Sequence, residues 1–87
     1  MEQTQGGEMT VQVYTLPNCV QCDMTKKQLK HLGIEYTETR LDENPAIAKT
    51  FTEQGLLQAP IVVAKGKTWS GFRLGNIRAI KVNHLDE

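Results

Sequence analysis

The chain has 87 residues, with ten Lys or Arg set against ten Asp or Glu, so its formal net charge is zero. That length makes one small domain, able to bury roughly 60–65% of the surface its unfolded form exposes. Zero net charge excludes a dedicated nucleic-acid binder, which needs a surplus of Lys and Arg, and no apolar run approaches the ~18 residues that cross a bilayer. Met1 to Glu8 is polar and lacks the basic-then-apolar order of a signal peptide, so a cytoplasmic location is expected.

Residues 1–9 carry no apolar periodicity and read as a flexible leader, residues 10–83 as the folded domain and residues 84–87 as a tail. Val11-Gln12-Val13-Tyr14 is β-branched and aromatic, which predicts a short strand buried on both faces. Leu16-Pro17-Asn18 breaks it. Asn18 is a suitable helix N-cap, and Gln21 three residues on can close a capping box. A helix then runs from about Cys19 to Leu32, with Val20, Met24, Leu29 and Leu32 inward and Gly33 as its left-handed stop. Ile34 to Leu41 alternates as a second strand. Asn44-Pro45 opens a second helix that buries Ile47, Ala48 and Phe51 and continues to Gln54. Ala59 to Ala64 is a third strand, Lys65-Gly66-Lys67 a tight turn, and Thr68 to Ser70 a fourth. A last helix opens near Asn76 and carries Ile77 and Ile80. The order β-α-β-α-β-β-α gives an α/β fold with a four-stranded mixed sheet flanked by three helices. Its first two strands are parallel through a right-handed crossover and its last two form a hairpin. This is the minimal thioredoxin/glutaredoxin fold.

Two cysteines cannot staple a small secreted domain, and these stand together as Cys19-Val20-Gln21-Cys22. In a reducing compartment such a pair means redox chemistry or half of a metal site. A strand, a short loop and C-x-x-C opening a helix is the arrangement redox chemistry needs. The thiolate is the nucleophile, and unpaired N–H groups and the positive end of the dipole favour the anion at a helix N-terminus. Cys19, at the exposed end, is the attacking thiol, and Cys22, deeper in the helix, is the resolving thiol. Two other readings exist. The cysteines are small buried hydrophobes, or they hold a metal. The latter needs four ligands, and His31 and His84 make no finger spacing with the pair, so two chains would have to share a site.

Several segments together resemble the NrdH redoxins, glutaredoxin-like in sequence and thioredoxin-like in activity. They are Val13-Tyr14-Thr15 leading into Cys19-Val20-Gln21-Cys22, then Gln58-Ala59-Pro60-Ile61-Val62-Val63, and Trp69-Ser70-Gly71-Phe72-Arg73. The resemblance spans about Thr10 to Ile80. It implies a cytoplasmic dithiol carrier that binds no cofactor of its own. NADPH would be used indirectly, through thioredoxin reductase, and the target would be a class Ib ribonucleotide reductase. It further implies a cis bond before Pro60, which leaves the Ala59 backbone free to pair with a substrate segment. Trp69, Ser70, Gly71, Phe72 and Arg73 would form a loop network beside the cysteines, with Trp69 in a structural part. Glutaredoxins carry a Gly-Gly pair and an acid near this loop to hold glutathione. Here Gly71 stands alone and no acid lies between Glu53 and Asp86. Two departures from the family stand out. Leu74-Gly75 replaces the usual Pro-Asp after Phe72-Arg73, and Leu16 occupies a place where relatives carry a polar or basic residue.

Asp23 directly follows the pair, and no Lys, Arg or His adjoins either cysteine. This suggests a reducing couple, nearer thioredoxin at about −270 mV than glutaredoxins at about −200 to −230 mV. Lys65, Lys67, Arg73, Arg78 and Lys81 fall in the C-terminal third, while Glu35, Glu38, Asp42 and Glu43 cluster around the second strand. Ordinary solvated surface explains this, and guidance onto an acidic partner is the sharper alternative. A glutathione-dependent glutaredoxin and a metal-binding module remain as competing functions. A domain of this size is expected to be a monomer.

Overall fold

The computed structural model describes the backbone of residues 11–86 and the side chains of residues 11–80. The elements are β1 (Val11–Thr15), α1 (Val20–His31), β2 (Tyr36–Arg40), a 3-10 turn (Leu41–Glu43), α2 (Pro45–Glu53), β3 (Ile61–Ala64), β4 (Lys67–Ser70) and α3 (Leu74–Asp86). The four strands form one mixed sheet in the order β2-β1-β3-β4. β1 runs parallel to β2, with Val11 opposite Tyr36 and Thr15 opposite Arg40. It runs antiparallel to β3, and β3 and β4 close a hairpin. Lys65 and Gly66 both take positive φ, 48° and 82°, as the tight two-residue turn of a twisted hairpin requires.

Alternation along the strands divides the core. Val11, Val13 and Thr15 are fully buried on one face, where Leu29 of α1, Ile77 and Ile80 of α3, and Val62, Ala64 and Trp69 meet the first two. On the other face the Tyr14 ring meets Phe51 of α2 edge-on, with centroids 4.8 Å apart, a geometry aromatic pairs favour. The sequence reading of β1 as buried on both faces is thus corrected, because its α2 side is only half-covered. α2 has no fully buried residue; Ile47, Ala48 and Phe51 are half-buried.

Several boundaries shift, and β3 begins at Ile61 where Ala59 was expected. β2 begins at Tyr36, with Ile34 buried in the turn before it. α3 starts two residues before Asn76 and extends to Asp86, so residues 84–86 are helical where the sequence suggested a tail. The inner face of α1 is Cys22, Thr25 and Leu29, whereas Val20 is 72% exposed. The helix enters at Val20, one residue later than periodicity implied. The leader assigned to residues 1–9 lies outside the described residues. No helix among the described residues is long and apolar enough to cross a membrane.

Candidate active site

β1 ends at Thr15, buried beneath the loop that carries the cysteines. Asn18 turns the chain at φ 57°, a left-handed conformation that asparagine tolerates better than most residues. Cys19, not Asn18, is the helix cap. Its backbone is extended and its Sγ accepts the Cys22 N–H at 3.1 Å, while its carbonyl accepts from Asp23 N–H at 3.1 Å. The predicted capping box is therefore replaced by the cysteine sulfur itself. A thiolate formed there keeps that donor and lies at the positive end of α1. Cys19 and Cys22 are joined as a disulfide across a Cα separation of 5.2 Å. Cys19 is half-buried and Cys22 is 1% exposed, so attack from outside is open to Cys19 alone.

Gln21 does something its local sequence does not announce. Its side-chain carbonyl accepts the Phe72 N–H at 2.9 Å, across 51 positions of sequence. Gly71, at φ 87°, donates its N–H to the Pro60 carbonyl at 2.7 Å. Ser70 Oγ donates to the Gln58 carbonyl, and Arg73 Nε to the Ser70 carbonyl at 3.2 Å. The Ala59–Pro60 peptide is cis, in keeping with the resemblance. The cysteine loop, the segment before Pro60 and the Ser70–Arg73 loop are thus tied into one rim. Trp69 stands apart from that rim. It is 6% exposed within the sheet–α3 core, and its indole N–H has no partner among the described residues.

Beneath the loop, Thr15 Oγ1 donates to Glu38 at 2.8 Å, and Lys26 reaches the same carboxylate at 3.1 and 3.2 Å. The Thr15 hydrogen bond, with Lys26 adding to it, holds the Glu38 carboxyl below its ordinary range. Lys26 also lies 3.9 Å from Asp23, so the acid beside Cys22 is partly answered by a lysine one turn on. A cleft of about 430 Å³ opens over Cys19, walled by Leu16, Val20, Leu57, Gln58 and Ala59. The sequence reading named all of these except Leu57, whose position carries no chemical signature. Among the described residues, no three His, Cys, Asp or Glu stand together as a metal site would require.

The glutaredoxin family matches residues 11–69. The glutaredoxin-like protein NrdH of Salmonella typhimurium is 42% identical over 65 residues, which is 75% of this chain and 80% of that protein. Its counterpart in Lactococcus lactis subsp. cremoris is 38% identical over 63 residues, covering 72% and 88%. The structure of the NrdH-redoxin of Escherichia coli superposes with a TM-score of 0.79 at 35% identity, over 82% of this chain and 93% of that one. The chain belongs to the NrdH redoxins.

As an NrdH redoxin it is a thiol–disulfide oxidoreductase, and its two cysteines differ in access. Cys19 presents sulfur to the cleft, and Cys22 waits behind it at bonding distance. Of the residues that the resemblance gave to partner binding, Ala59 lines the cleft and Arg73 is exposed. Ser70 and Phe72 are half-buried, and Pro60, Trp69 and Gly71 are buried. In this NrdH redoxin buried Pro60 and Gly71 hold the rim through their backbone, Trp69 belongs to the core, and Ala59, Ser70, Phe72 and Arg73 keep side-chain surface a partner could reach.

Proposed function

We propose that this chain is a cytoplasmic dithiol electron carrier, reduced by an NADPH-dependent thioredoxin reductase and oxidised by the disulfide of a class Ib ribonucleotide reductase. The Cys19 thiolate attacks one sulfur of the target disulfide and makes a mixed disulfide. The other target sulfur leaves as a thiolate and takes up a proton. Cys22 then gives up its proton and attacks Cys19 sulfur, closing the Cys19–Cys22 bond and expelling the second target sulfur, which is protonated in turn. Two electrons and two protons pass to the target. The reductase returns them from NADPH, so the chain itself holds no cofactor.

The observation that carries the reading is the Ser70–Arg73 loop. It is fastened to Gln21 and to Pro60, and it offers no carboxylate for the amine of glutathione. The match to the glutaredoxin family ends at Trp69, just before this loop. The E. coli relative is described as having a thioredoxin-like activity profile. The test is NADPH consumption with thioredoxin reductase and insulin, beside a parallel assay with glutathione and glutathione reductase. Turnover in the first alone, abolished by Cys19→Ser, is expected. Turnover with glutathione alone would overturn the proposal.

A further inference from the structure

Two buried side-chain groups, Thr25 Oγ1 and the Trp69 indole N–H, lack a hydrogen-bond partner among the described residues. A buried donor without an acceptor is costly, so such a group marks a place where something else binds. Trp69, 6% exposed, also lines a cavity of about 30 Å³ between the β3–β4 hairpin and α3, at the end of β3 away from Pro60. Lys65, Lys67 and Asn76 bring the other polar side chains to this cavity, and alanine and isoleucine side chains close the rest. No carboxylate among the described residues lines it, and none stands in the sequence between Glu53 and Asp86.

We infer that this cavity binds a small monovalent anion, held by the Trp69 N–H, the Lys67 ammonium and the Asn76 amide. Size and hydrogen-bonding capacity decide the class of guest. A volume of about 30 Å³ exceeds the ~10–15 Å³ that one water requires and falls far short of the ~300–1,000 Å³ of sites for organic ligands. Only a guest of one or two heavy atoms fits. Indole and ammonium groups donate and never accept. A water there has two hydrogens to direct and, among these side chains, only the Asn76 carbonyl to receive them. A halide uses every donor, and the lysine bond to it is charge-assisted. The position gives the ion a structural task, since it bridges β4 to the first two turns of α3. The chain that joins those two elements belongs to the rim beside Cys19. The inference is independent of which partners the carrier serves.

The chain has one tryptophan, so the indole peak in a nitrogen–proton correlation spectrum belongs to Trp69 alone. The experiment titrates the full chain with sodium chloride while sodium gluconate, whose anion is too large for the cavity, holds the ionic strength constant. One charge-assisted and two neutral hydrogen bonds predict a saturable shift of the indole peak, half complete at about 10 mM chloride. Lys67→Gln combined with Asn76→Ala should raise that concentration at least ~10-fold. Both side chains are exposed, and circular dichroism checks that the variant is folded. Chloride should also raise the urea midpoint of the unaltered protein and leave that of the variant where it is. An indole peak indifferent to chloride, or one that gluconate moves as far, would overturn the site. So would a response that the double substitution leaves intact, because the ion would then sit elsewhere. Cross-relaxation between the indole proton and a bound water that persists at saturating chloride would overturn it in favour of a resident water.

Discussion

At the scale of single residues, Gly71 and Gln21 decide how the rim is held. Gly71 has φ 87°, and a Cβ built there would stand 3.3 Å from Gln21 Oε1, the atom that accepts the Phe72 N–H. Gly55 has a similar φ of 84° with nothing within 4 Å, so it carries the backbone effect without the contact. Gly55→Ala should therefore destabilise by about 1 kcal/mol, the penalty of left-handed backbone for a residue with a Cβ. Gly71→Ala should destabilise by about 2 kcal/mol, because it adds displacement of a buried hydrogen bond. Urea unfolding measures both. Insulin reduction should slow only in the Gly71 variant, and equal losses in the two would show that the Gln21 contact carries nothing. Sequence could not have revealed this tie. Gln21 sits where a capping box would place it, and the partner that claims it lies 51 residues away. The cysteines, by contrast, were legible because their chemistry and the local helix start coincide at one place.

At the scale of elements, periodicity located every helix and strand but did not decide which way α1 faces. Its apolar residues include Val20 and Met24, both exposed, while buried Thr25 holds the inner face. Tertiary packing of Cys22 beneath Cys19 sets the helix rotation, and hydrophobicity follows it. The elements are joined at Glu38 of β2, which takes hydrogen bonds from Thr15 of β1 and Lys26 of α1. The Thr15 bond is the largest cause that depresses the Glu38 carboxyl, followed by Lys26. A carboxyl depressed by folding adds stability above its unfolded value, about 4.3 for glutamate, and loses it as pH falls through the folded value. Asp42 is lowered similarly by Arg40, but it is exposed at the surface of the 3-10 turn. Acid unfolding should therefore draw on Glu38. Glu38→Gln is expected to lower the urea midpoint at pH 7, and to shrink the drop in midpoint between pH 7 and about pH 3. A drop as large in the variant as in the parent protein would show that another group drives the acid transition.

On the scale of the whole molecule, strand order turns a linear charge pattern into a spatial one. The parallel pairing of β1 with β2 and the hairpin of β3 with β4 follow from element order and turn chemistry, so that much of the topology is readable in advance. The pairing of β1 with β3 in the centre is a non-local event with no local signal, and it sets the distribution of charge. Because the sheet runs β2-β1-β3-β4, Glu38 of β2 and Asp42 and Glu43 just beyond it lie at one edge. Lys67 lies at the opposite edge in β4, the strand that leads through Arg73 into α3 and Arg78. Glu38 and Asp42 are paired with Lys26 and Arg40, whereas no acid stands between Glu53 and Asp86, so a partner with an acidic surface would be met by the β4 side first. Exposed charges act over about 8 Å at physiological ionic strength, so the effect belongs to encounter and not to the docked complex. Lys67→Glu combined with Arg78→Glu should slow reductase-coupled turnover several-fold at about 20 mM salt, and the two proteins should converge at about 500 mM, where screening is nearly complete. The chemistry at Cys19 is remote from both substitutions, so single-turnover reduction of a small uncharged disulfide provides the comparison. Rates that fall equally at all salt concentrations would point to direct contact in the complex, and rates indifferent to both substitutions would return the basic edge to ordinary solvated surface.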